Sequence, residues 1–137
     1  MRVKQLAVNR FEVVGVMDGD ACPAELFLLE GEKATEANRL GLTQILATVA
    51  ERDLDGVPSA WVHEANKSEK IYEFIKGPLR LFFFKGKNGQ IVVCTSGVRK
   101  SGQKADKAAV KRSARWREEY YTALENDALT TVDNDEA

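Results

Sequence analysis

The chain of 137 residues has one histidine, His63, two cysteines, Cys22 and Cys94, and no long apolar run. A single histidine excludes a ribonuclease that moves both of its protons with a histidine pair. His63 lies in a stretch without periodicity and reads as a surface residue. Two cysteines 72 positions apart exclude a disulfide framework and a zinc ribbon, and Cys94 reads as a small apolar residue in a strand. No window approaches the ~20 apolar residues of a membrane span. The opening MRVKQLAVNRFEVVG carries charges where a signal peptide needs an apolar core, so the expected location is the cytoplasm, with no membrane partner. Glycine-rich phosphate loops are missing, which leaves no expected nucleotide cofactor. Asp18 and Asp20 read as a turn, and no metal site is expected.

The charges that are present are segregated. Residues 1–69 carry 7 Lys/Arg against 12 Asp/Glu, residues 70–117 carry 13 against 2, and residues 118–137 carry none against 7. The formal net charge of −1 therefore hides a block of +11, and a polyanionic partner becomes plausible for that block. The length and 44% hydrophobic content suit one domain, read as residues 1–124, followed by a flexible acidic tail over 125–137.

Hydrophobic patterning predicts the elements. Phe11 to Met17 reads as a strand ended by Asp18-Gly19-Asp20, and Pro23 opens a short helix stopped by Gly31. Leu42, Ile45, Leu46 and Val49 follow helical spacing within residues 34–52. Residues 53–69 read as a loop. Ile71–Lys76, Leu79–Lys85 and Gln90–Thr95 form three strand-like runs separated by Gly77-Pro78 and Gly86-Lys87-Asn88-Gly89, which predicts an antiparallel meander. A last helix is expected over about 105–124. The predicted fold is α+β: an N-terminal strand and two helices, then a three-stranded antiparallel meander and a C-terminal helix. The helix pair covers one face, leaving the other for Arg80 and the basic segment after it.

Arg80 lies among aromatics on the middle strand, where its planar fork suits a phosphate or a cross-strand ion pair with Glu73. Arg99, Lys100 and Lys104 follow the last strand among small residues.

The stretch IYEFIKGPLRLFFFKGKNGQIVVCTSGVRKSGQK resembles the core of the RelE/HigB-like toxins of toxin–antitoxin modules, in their phage-derived HigB-like branch. Tyr72-Glu73-Phe74, Arg80 to Phe84, Ile91 to Val93, and Val98-Arg99-Lys100 with Gln103-Lys104 carry the likeness in order. The resemblance implies a RelE-like fold and an mRNA interferase, a metal-independent endoribonuclease acting through the RNA 2′-hydroxyl, on the ribosome. It also implies an antitoxin partner with a helix-turn-helix domain. Arg80, Lys100 and Lys104 would then be catalytic, with Lys76, Arg99, Lys107 and Lys111 binding RNA. The sequence departs from the pattern at Ile75, where the family often has arginine, at Thr95-Ser96, where this branch often has His-Gly, and at an extra Gly102. These departures keep a second expectation open, a degenerate toxin that binds RNA or the ribosome without cleaving.

Overall fold

A computed structural model describes residues 1–100 and 106–133. The chain runs β1 (Arg2–Val8), β2 (Glu12–Val16), α1 (Pro23–Leu29), α2 (Glu36–Arg52), β3 (Val62–Asn66), β4 (Ile71–Lys76), β5 (Leu79–Phe84), β6 (Gln90–Arg99), α3 (Lys107–Glu125) and β7 (Thr130–Val132). The strands form one mixed sheet of seven in the order β3-β4-β5-β6-β2-β1-β7. β2 runs parallel to β6 and β7 parallel to β1, whereas the remaining neighbours are antiparallel.

This architecture corrects the expected RelE-like α+β fold. The antiparallel β4-β5-β6 run is present, but within a seven-stranded mixed sheet, and helices cover both faces rather than one. Three strands are hidden in the sequence for identifiable reasons. β1 alternates charges with apolar residues, and one of its charges is satisfied only by a distant partner, Lys4 Nζ to Glu25 at 2.9 Å. β3 is a polar edge strand, VHEAN, with little apolar alternation to reveal it. β7 has three residues, and its pairing depends on β1 being in place. It comes from the segment read as the acidic tail: Thr130 N donates to Met1 O, and Gln90 Nε2 donates to Thr131 Oγ1 at 2.8 Å.

Strand alternation divides the apolar residues into two layers. Leu79, Leu81 and Phe83 of β5 join Phe74, Val13 and Cys94 against Leu42, Ile45, Leu46 and Val49 of α2, the four positions that its spacing predicts. Phe74 and Phe83 stack at 4.2 Å between ring centres. Phe82 and Phe84 point the other way, into a layer with Val3, Val14, Val93, Val110 and Tyr120 beneath α3. Each fully buried Phe contributes about 2–3 kcal/mol of transfer free energy, so the Phe82-Phe83-Phe84 run ties both layers to one strand. Tyr120 donates its hydroxyl to Gln90 Oε1 at 2.8 Å, anchoring the C-terminal half of α3 at the start of β6.

Two local devices shape the sheet near the predicted site. Gly77 has a φ of 55° ahead of Pro78, the sign pattern of a tight II′ hairpin turn, and this turn sets the Lys76–Leu79 register of β4 and β5. In β6, Thr95 and Ser96 both lie opposite Phe82, a bulge that shifts the register between Cys94 and Gly97.

Candidate functional site

Among the described residues Glu73 is the one buried carboxylate, 3% exposed on β4, and its register partners are His63 on β3 and Phe82 on β5. Burying a carboxylate is costly unless it is paired and hydrogen-bonded. Two side chains answer it. His63 Nδ1 lies 3.2 Å from Oε1 of Glu73, and Arg80 Nε lies 3.8 Å from the same oxygen. Of the two roles that the sequence allows Arg80, the pairing with Glu73 is thus a near ion pair without a hydrogen bond. Arg80 directs Nη1 instead to the carbonyls of Gly77 at 2.7 Å and Leu79 at 2.9 Å, bracing the β4–β5 turn. Its Nε is buried without a partner, as is Ser96 Oγ in the β6 bulge.

The other predicted residues do not converge on Arg80. Lys76 faces α2, its aliphatic stem lying against Gly41. Arg99 is in register with Leu79 on that same side and pairs with Glu32 at 2.6 Å. Lys100 is half-buried and its backbone N–H donates to Pro78 O at 2.7 Å. Lys104 and Gly102 lie outside the described residues. Lys107 and Lys111 are exposed on α3, where they flank a groove of about 730 Å³ that also takes in Ala65, Asn66, Glu69 and Val110.

α3 carries more cations than the two assigned from sequence. Asp106 caps it, accepting from Ala109 N at 2.9 Å, and Ala109, Val110, Ser113, Tyr120 and Ala123 face the sheet. Ser113 belongs to this buried face because its hydroxyl meets that of Thr95 at 2.6 Å and donates to Ala109 O at 2.8 Å. That leaves Lys107, Lys111, Arg112 and Arg115 exposed, and none has an ion-pair partner among the described residues. Arg112 and Arg115 line a second groove, of about 840 Å³, with Trp116. Arg117 lies over the Tyr121 ring at 5.1 Å.

Sequence reasoning missed His63. The missing signal was a register: only once VHEAN is a strand do His63 and Glu73 stand opposite each other. Among the described residues, no group of three or more His, Cys, Asp or Glu side chains is placed to hold a metal ion. No helix there is long and apolar enough to cross a membrane. Burial raises the Cys22 and Cys94 thiols and the Tyr120 phenol above their ordinary values, leaving them protonated at neutral pH and poorly suited to nucleophilic or basic roles. Neither a scan against protein-family models nor a search of curated proteins finds a match to this chain.

Proposed function

We propose that this chain acts on RNA, as the toxin component of a toxin–antitoxin module that cleaves mRNA and stops translation. The observation that carries the reading is the α3 surface. Lys107, Lys111, Arg112 and Arg115 project from the first half of a helix whose first turn has no acidic residue, without carboxylate partners among the described residues. Lys107 in the first turn opposes the helix dipole, and Lys107, Lys111 and Arg115 repel one another at four-residue spacing, so this unpaired clustering is better accounted for by an external polyanion than by stability. The ordered residue pattern from Tyr72 to Lys104 supports the narrower assignment of a toxin. The basic surface invites an acidic segment of a partner, and the resemblance implies that this partner is an antitoxin with a helix-turn-helix domain.

A second reading, an RNA- or ribosome-binding protein that does not cleave, is favoured by Arg80. Its Nη1 is engaged by the Gly77 and Leu79 carbonyls, which diminishes the fork available to a phosphate.

Induction of the gene separates these readings. The toxin reading expects prompt arrest of growth and amino-acid incorporation, relieved by Lys100→Ala. A wild-type chain that is harmless at high expression contradicts it. RNA or ribosomes that co-purify intact with the chain select the second reading.

A further inference from the structure

We propose that His63 is the proton acceptor of the RNA-cleaving site and that Glu73 is the residue that positions it; this rests on the reading that the chain cleaves RNA. His63 is the chain's one histidine, and its side chain is 62% exposed on an edge strand. Its Nδ1 meets the buried Glu73 carboxylate at 3.2 Å, and that is the one side-chain hydrogen bond of Glu73 among the described residues. An ionised carboxylate only accepts, so in this pair it selects the tautomer with the proton on Nδ1, the one that leaves the Nε2 lone pair free. A carboxylate buried for stability alone would be better replaced by an apolar residue. Here it does something an apolar residue cannot: it fixes the tautomer of a solvent-facing imidazole and stabilises the imidazolium when it forms.

Arg80 places a cation 3.8 Å from the same carboxylate, on the strand beyond. Among the described residues no further ion pair involves His63, Glu73 or Arg80, and the cations of α3, which packs against β4, make none with Glu73. In the cleavage step the 2′-hydroxyl proton passes to His63 Nε2 while O2′ bonds to phosphorus, the P–O5′ bond breaks, and the departing 5′-oxygen takes a proton from water. The products are a 2′,3′-cyclic phosphate and a 5′-hydroxyl, and the imidazolium returns its proton to the hydroxide left behind.

The test is single-turnover cleavage of a synthetic RNA, free and on ribosomes, by the full chain and by His63→Ala and Glu73→Gln, from about pH 5 to about pH 9. His63→Ala is expected to lose about 100-fold or more in rate together with the acidic limb of the profile. Added imidazole should restore part of that rate, while RNA affinity stays as in the wild type. Glu73→Gln still accepts from Nδ1 and is expected to lose about tenfold while keeping the acidic limb. A His63→Ala chain that cleaves within about threefold of wild type, with the same pH profile, overturns the assignment of His63 and leaves the ribonuclease reading standing. RNA left whole by the wild type overturns both.

Discussion

Thr95 and Ser113 put two hydroxyls in the middle of an apolar layer, and each is satisfied there. Thr95 donates to Phe82 O at 3.3 Å or meets Ser113 at 2.6 Å, and Ser113 returns to the α3 backbone. They clamp α3 to the bulge in β6, so Thr95, one of the departures from the toxin pattern, has a structural use. Cys94, the residue before it, is 0% exposed, and desolvation raises its thiol above the ordinary value of 9.0; Cys22 in the same layer is raised by the same cause. The sign of the consequence follows from which state keeps the proton. The unfolded thiols ionise near 9 and burial moves the folded ones above that, so stability is full below that pH and declines as pH rises through and beyond it. One such group contributes a decline of up to about 1.4 kcal/mol per pH unit. Urea midpoints measured from about pH 7 to about pH 10.5 should therefore fall more steeply for the wild type than for Cys94→Ala, and parallel curves contradict this account.

At the scale of elements, α3 is charged in the wrong direction for a helix. Its cations run from Lys107 to Arg117, and Glu118, Glu119 and Glu125 all follow them toward the C-terminus. The dipole acts within the terminal turns, so Lys107 in the first turn costs about 0.3–1 kcal/mol at low ionic strength, and Lys111 adds like-charge repulsion with Lys107 and Arg115, four residues away on either side, of about 0.2–0.5 kcal/mol per pair. Lys107→Glu with Lys111→Glu is accordingly expected to raise the urea midpoint while weakening RNA binding and flattening its salt dependence. For single strands the logarithmic slope changes by about 0.7 for each phosphate that is no longer neutralised. Unchanged affinity would remove α3 from the interface. The helices and the central meander were legible in the sequence because their apolar spacing is local: Leu42 to Val49 on α2, and the alternation through Phe82-Phe83-Phe84 on β5. β1, β3 and β7 were not, because each is defined by the neighbour it pairs with rather than by its own pattern. With β3 went the site, since His63 acquires a meaning only from the strand beside it. Arg80 was legible as an unusual residue and Gly77-Pro78 as a turn, but that the guanidinium folds back onto the Gly77 and Leu79 carbonyls is a side-chain conformation that the pattern does not encode.

At the scale of the whole molecule, the two ends of the sheet have different chemistry. The edge at β3 carries His63, with Glu73 and Arg80 on the next two strands, whereas the opposite edge at β7 is drawn from the acidic C-terminal segment. The described part of that segment, through Asp133, thus pairs at the far edge from His63. α3 crosses one face of the sheet with its unpaired cations outward, and α1 and α2 close the other with Arg99 tied to Glu32. Among the described residues α3 therefore offers a cluster of unpaired cations to an RNA strand, whereas on the other face α1 and α2 expose only one, Arg52 at the end of α2. The central claim, that this chain cuts RNA, is tested most directly by mapping RNA ends after translating ribosomes are mixed with the purified protein. The account predicts new breaks within the mRNA that end in 2′,3′-cyclic phosphates and begin with 5′-hydroxyls, appearing without added metal. Messenger that stays intact at saturating protein, or breaks that begin with 5′-phosphates, would contradict it.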